Sequence, residues 1–275
     1  SDEREGCAAG GNRAMFGVVS KSIWNNLNPA VENNMCSWAL RCLLVEDGNR
    51  LILIDNGMGD KQDAKFFGHY YLHGNDSLEK SLANHGFTKD DITDVFLTHL
   101  HFDHCGGSIS REGDKFVPAF KNAVYWSNER HWKWATEPND REKASFLKEN
   151  ILPIQQSGQL KFIETNPEAF PDAFSVRMVF GHTEAMMLPQ INYKGRTIVY
   201  MADLLPSAAH IPLPYVMAYD MFPLTTLNEK KFFLTEALQN NYTLFFEHDP
   251  KIECCTLNMT EKGIRLKDTF RLDEL

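Results

Sequence analysis

The 275 residues carry 28 Lys and Arg against 37 Asp and Glu, a net charge of −9, so the basic excess that nonspecific nucleic-acid binding needs is absent. Apolar residues make up 43% of the chain, with 19 Phe and 5 Trp, which is ample for a buried core. No apolar run approaches the roughly 18 residues of a membrane span, and the length admits one large domain or two small ones.

Residues 1–14 are polar and Gly/Ala-rich, and read as a disordered tail or an added remnant, leaving residues 15–275 as one domain. Met15 to Asn34, with Trp24 and Pro29, reads as a long aromatic loop. Cys36–Val45 and Arg50–Asp55 predict two strands joined by the turn Glu46-Asp47-Gly48-Asn49. The following Asp55-Asn56-Gly57-Met58-Gly59 lacks the spacing of a dinucleotide or phosphate loop. Ser77–His85 predicts a helix ended by Gly86, and Asp91–Leu97 a strand. Asn122–Trp126 reads as a strand, then Asn128–Trp134 and Asp140–Glu149 as helices. Strands follow at Phe174–Phe180, Met187–Tyr193 and Thr197–Met201. A helix over Leu227–Asn240, a strand over Tyr242–Glu247 and a hairpin around Lys262-Gly263 close the chain. Strand and helix signals alternate without a linker, which predicts one α/β domain with helices covering sheets.

The stretch Thr98-His99-Leu100-His101-Phe102-Asp103-His104-Cys105-Gly106-Gly107 carries the chemistry. Residues two apart in an extended chain point the same way, so His99 and His101 can grip one metal together. A turn at Phe102 redirects Asp103 and His104 toward a second position, and the paired glycines let a helix begin close by. One His in a strand is usually a satisfied core or surface residue. Four candidate donors at H-x-H-x-D-H spacing are a metal-binding pattern.

Three further residues stand where predicted strands end: His182, Asp203 and His248. Loops at strand ends commonly carry active-site side chains on a rigid scaffold. The inventory then forms two groups. His99, His101 and His182 give one metal three imidazoles; Asp103, His104 and His248 hold another, and Asp203 bridges them.

On Leu53-Ile54-Asp55-Asn56-Gly57, His99–His104, Gly181-His182-Thr183, Asp203 and His248, the chain resembles the metallo-β-lactamase superfamily of metal-dependent hydrolases. The resemblance implies an αββα sandwich, two mixed sheets face to face with helices on the outer faces and two metals at one edge. Within the superfamily it is similar to the quorum-quenching N-acyl-homoserine lactonases, especially the YtnP-like ones, through Met15–Trp24, Asp203-Leu204-Leu205-Pro206 and Glu247-His248-Asp249-Pro250. Organophosphate hydrolases of the methyl-parathion type share much of the pattern. One departure is plain: many relatives read G-H-[ST]-x-G-H, and this chain has Gly181-His182-Thr183-Glu184-Ala185-Met186.

Two cations a few ångströms apart lower the pKa of a bridging water and so present hydroxide as nucleophile near neutral pH. In such a site Asp103 is a ligand that also orients the hydroxide or shuttles a proton, and Asp55 supports a ligand without touching metal. Imidazole and carboxylate donors suit zinc by default, and also manganese, iron or cobalt. The loop Leu204–Asp220, stiffened by Pro206, Pro212 and Pro214, follows Asp203 directly. His210, Tyr215 and Tyr219 on it, with Phe16 and Trp24, are candidates for the substrate pocket, and Trp126, Trp132 and Trp134 for an apolar wall.

The expected activity is opening of a lactone or cleavage of a related ester on a small-molecule substrate. The alternatives are phosphotriester or phosphodiester hydrolysis at the same centre, or a non-catalytic metal-binding module. A glutathione-thioester hydrolase would want a basic C-terminal helical region that is missing. The six cysteines show no C-x-x-C pair, and Cys105 beside the motif suits a reducing compartment, so a cytoplasmic location without membrane attachment is expected. Secretion stays open, and the sequons at Asn75, Asn241 and Asn258 would matter only then. The N-terminal loop offers one surface on which two copies could pair as a homodimer.

Overall fold

In the computed structural model, the described residues are 8–275 except 165, 167, 168, 171 and 172, with side chains from Ala14 onward. The apolar run at 51–54 lacks a polar face because its strand is covered on both sides. Ile52 and Ile54 point into one core and Leu53 into another. The same division by parity holds for Phe96 against Val95 and for Trp126 against Tyr125.

Leu43–Asp47 and Arg50–Ile54 form an antiparallel hairpin, to which Asp94–Phe96, Val124–Ser127 and Leu160–Phe162 add in parallel. The second sheet begins as the antiparallel strands Phe174–Val179, Met186–Tyr193 and Arg196–Tyr200. Thr243–Phe245 then joins in parallel through the crossover helix Pro223–Gln239, and Cys254–Thr260 with Gly263–Phe270 completes the order. Between the sheets lies a core holding Ile52, Ile54, Phe96, Ile191, Tyr200 and Phe245. Helix residues Leu82, Trp132, Ile151 and Ile154 cover the outer face of the first sheet, while Phe233, Leu234 and Ala237 cover the second. This is the αββα sandwich.

Local signals set the helix starts. Ser77 Oγ accepts from Lys80 N at 3.3 Å ahead of Leu78–Asn84, and Asn128 Oδ1 from His131 N at 2.7 Å ahead of Glu129–Thr136.

Several expectations differ from the structure. Ala8–Gly11, expected within an unstructured tail, pairs as a strand with Met35–Trp38, and residues 1–7 lie outside the described residues. The expected aromatic loop includes a short helix, Lys21–Trp24. Asp140–Glu149 is not a helix. Asn139 Oδ1 accepts from the amides of Arg141 and Glu142 at 2.9 and 3.1 Å, which favours a turn, and the helix starts at Lys148 and runs to Gln156 through Pro153. The hairpin Ile109–Glu112/Lys115–Pro118 was not anticipated from the sequence. Phe102–Cys105 is already a helical turn, so the paired glycines follow it and do not open it. Their role is close approach: a Cβ on Gly106 would stand 2.2 Å from Met58 O, and one on Gly107 2.2 Å from Asn56 O.

Candidate metal centre

His99, His182, Asp203 and His248 are each the third residue beyond a strand end, after Phe96, Val179, Tyr200 and Phe245. All four sites fall at one edge of the sandwich, and Asp55 joins them after Ile54. Asp55 and Ala202 hold φ near +55° and +40°, left-handed conformations that cost non-glycine residues about 1–3 kcal/mol each and that gather at functional sites. Ala185 is a third, at φ +55°. It occupies the position where the superfamily pattern carries Gly, while Met186 is fully buried.

The anticipated donors come together in two groups. His99, His101, His182 and Asp203 each place a donor atom within 4.8 Å of the others, and Asp103, His104 and His248 do the same. Asp203 stands between them. Its Oδ2 lies 3.0 Å from His182 Nε2, 3.6 Å from His104 Nε2 and 3.9 Å from His99 Nε2, and its Oδ1 lies 3.2 Å from His248 Nε2. Asp103 is the outlying member, 3.9 Å from His104 Nε2 and 4.0 Å from His248 Nε2, with its side chain 30% exposed.

Behind each of four imidazoles sits an acceptor. His101 Nε2 meets Glu142 Oε1 at 3.0 Å, and His182 Nδ1 meets Asp220 Oδ1 at 2.9 Å. His104 Nδ1 lies 3.0 Å from both Asp55 Oδ2 and Glu247 Oε2, and His248 Nδ1 donates to Ala39 O at 2.8 Å. Such partners only accept, so the outward nitrogen carries the proton and the inward one presents a lone pair. Asp55, expected as a support, has this place, and its Oδ1 also accepts from Thr98 N at 2.8 Å. Sequence reasoning missed Glu142, Asp220 and Glu247 as supports, and also His131, which accepts from Leu100 N at 2.8 Å. Only Glu247 had a signal, as the neighbour of His248.

The inward nitrogens converge: His101 Nδ1 stands 3.1 Å from His99 Nε2 and 3.2 Å from His182 Nε2, and His248 Nε2 stands 3.2 Å from His104 Nε2. Lone pairs facing one another repel unless a cation lies among them. The surrounding charge agrees. Burial opposes a charge on His182, yet Asp203 and Asp220 outweigh it and raise its pKa to about 10. His248 rises to about 9 against burial through Asp203 and Glu247. Burial and the neighbouring imidazoles push His99 the other way, well below its ordinary value. Positive charge is favoured here, and the donor set fits divalent metal ions.

The cluster faces a cavity of about 470 Å³ bordered by Asp103, His182, Asp203 and His248. Met15, Trp38, Leu40, Met58, Met217 and Met221 give it an apolar wall, and Tyr70, Tyr219 and Arg141 add polar groups. Of the pocket candidates, Tyr219 lines it and the other four do not. Phe16 is fully buried and stacks on Trp24 and His210, with Tyr215 edge-on. His210 is committed to Ser207 Oγ and Met15 O at 2.8 Å each, so it braces the loop. The tryptophans are also committed elsewhere: Trp126 Nε1 donates to Asp94, Trp134 Nε1 to Glu142, and Trp132 packs in the outer core.

Two covered sheets with a His/Asp cluster at their edge define a hydrolase fitted to hold divalent metal. Residues 41–248 match the metallo-beta-lactamase superfamily, and the chain belongs to that superfamily. No curated protein sequence matches the chain. Among solved structures, a probable metal-dependent hydrolase from Staphylococcus aureus is 25% identical, with a TM-score of 0.86 over 99% of this chain and 96% of its own. AidC, a dizinc quorum-quenching lactonase solved with an N-hexanoyl-L-homoserine product, is 23% identical, with a TM-score of 0.78 over 97% and 92%. The AiiA protein of B. thuringiensis, in a mutant form with N-decanoyl-L-homoserine bound, is 19% identical, with a TM-score of 0.66 over 90% of each chain. No helix among the described residues is long and apolar enough to cross a membrane.

Proposed function

We propose that the protein is a binuclear metal-dependent hydrolase that opens a lactone of the N-acyl-homoserine type or cleaves a related ester. The observation that carries this is Asp203, with Oδ2 turned to His182 and Oδ1 to His248, one carboxylate shared by two imidazole groups. In this reading His99, His101 and His182 hold one cation and Asp103, His104 and His248 the other. Zinc is the default for these donors. When bound, the cations supply a nucleophile at neutral pH and polarise the substrate's acyl oxygen.

The chain's own residues do the rest. Asp103, the most exposed carboxylate of the cluster, takes up the proton released as water attacks and returns it to the leaving alkoxide. The Tyr219 hydroxyl, on the same cavity, donates to the acyl oxygen and orients it. Met15, Met58, Met217 and Met221 exclude water, and their flexible thioethers adapt to acyl chains of different length. AidC and AiiA, with acyl-homoserine products in their structures, make acyl-homoserine lactones the first substrates to assay. A cytoplasmic location accords with the buried free thiols of Cys36, Cys105, Cys254 and Cys255.

The test is turnover of acyl-homoserine lactones, simple lactones, aryl esters and phosphotriesters by metal-loaded protein, with His101→Ala as control. Lactone turnover lost in the variant is expected. Turnover of phosphotriesters alone would replace this reading with its phosphoester alternative, and metal loading without any turnover would leave a binding module.

A further inference from the structure

The paired register of the Phe174–Val179 strand ends with Val179 opposite Met186, so the amides of Phe180 and Gly181 fall beyond it. An N–H that has left its sheet inside the fold needs another acceptor. Glu229, on the Pro223–Gln239 helix, serves both: its Oε1 accepts from Phe180 N at 2.7 Å and its Oε2 from Gly181 N at 3.0 Å. The carbonyls of the same turn are held from the start of that helix. Gly181 O accepts from Phe222 N at 2.8 Å and His182 O from Met221 N at 3.0 Å. Gly181 lies so close to the helix that a Cβ would stand 2.3 Å from Thr226 N.

A carboxylate is a costly choice for this place. Glu229 is half-buried, and burial together with the like charge of Asp220 raises its pKa, with no Lys or Arg among the influences on it. What the carboxylate offers in return is two oxygens for two adjacent amides, in charge-assisted bonds roughly twice as strong as neutral ones. We propose that Glu229 is a positioning residue for the metal centre, its carboxylate clamping the two amides ahead of His182 and so fixing where that imidazole stands. The proposal rests on His182 being a metal ligand, as in the function proposed above. The division of labour is clear from the contacts: Asp220 meets the His182 ring at Nδ1, and Glu229 holds the backbone that carries the ring.

The test is stepwise removal of zinc from the metal-loaded full-length protein by a chromophoric chelator. One equivalent is expected to leave isosteric Glu229→Gln at least threefold more readily than the parent, and Glu229→Ala at least tenfold. The other equivalent, held by Asp103, His104 and His248 away from this turn, should keep the parent's affinity. His182→Ala marks which equivalent is in question. Ala237→Gly, two helical turns beyond Glu229, weakens the helix without touching the clamp. It should lower Tm and leave both equivalents as tight as in the parent. Unchanged release in the Glu229 variants would overturn the proposal, as would both equivalents loosening together or Ala237→Gly loosening the same one. Retention of both equivalents by His182→Ala would overturn it together with the ligand assignment beneath it.

Discussion

Asp220 Oδ1 lies 2.9 Å from His182 Nδ1, and both side chains are 1% exposed. A buried carboxylate in this position fixes the imidazole's tautomer and turns its Nε2 toward the cluster. Removing such a partner lowers metal affinity by roughly 10- to 100-fold. Asp220→Ala should therefore lose metal to a chromophoric chelator at correspondingly lower chelator concentration, with His182 still present. Unchanged affinity would show that Asp220 only fills space.

The convergence of lone pairs in the cluster predicts how the apoprotein behaves. Without metal, only protons on imidazoles such as His182 and His248 remain to offset the buried carboxylates of Asp203 and Glu247. A ligand that binds only the folded state, at a thousand times its Kd, adds about 4 kcal/mol. At roughly 2–4 °C per kcal/mol for a chain of this size, stripping the metal should lower Tm by about 10 °C, and zinc should restore it. Equal melting of stripped and loaded protein would argue against metal at this cluster.

What the sequence revealed follows from how local each signal is. His99 to His104 could be read because the donors are contiguous after an apolar strand. His182, Asp203 and His248 could be read because each follows a strand whose pattern is visible. Glu142 and Asp220 could not: they reach the imidazoles from loops 41 and 38 residues away in sequence, with no periodicity to mark them. The helix Lys148–Gln156 was hidden by Pro153, which ordinarily argues against a helix interior, and the charged stretch before it mimics a helix that the Asn139 turn forbids. Four of the five pocket candidates, all but Tyr219, lie off the cavity for a different reason. Phe16, Trp24 and His210 are the right residue types on the right loops, but they satisfy one another beneath the cavity.

Close backbone approach should make Gly107 intolerant of any side chain. Its added Cβ would meet Asn56 O at 2.2 Å, and that backbone cannot retreat without moving Asp55, which supports His104. Gly107→Ala should cost roughly 2–3 kcal/mol, the range of overpacked buried sites. Urea unfolding of the metal-loaded pair checks this, and metal affinity should fall with it.

Lys230 gives stability a dependence on pH that can be signed. It is 1% exposed on the Pro223–Gln239 helix, and its Nζ donates to Tyr215 O at 2.6 Å, Pro212 O at 3.2 Å and Leu213 O at 3.4 Å, holding the loop that leads to Tyr219. Burial lowers its pKa from 10.5 to about 7, with Asp220 pulling weakly the other way. Between those values the unfolded chain holds the proton that the folded chain releases, so stability rises with pH across this window and is lowest below pH 7. From pH 7 to about 8, below the ordinary thiol pKa of about 8.5, this group alone should add roughly 1 kcal/mol. Lys61, lowered to about 8 by burial, contributes the same sign higher in the window, so the comparison must be with a variant. Lys230→Met should flatten the rise by that amount in urea unfolding at the two pH values, whatever its effect at either one. Equal slopes in parent and variant would mean that Lys230 stays charged in the fold and that the carbonyl cradle, not neutralisation, offsets its burial.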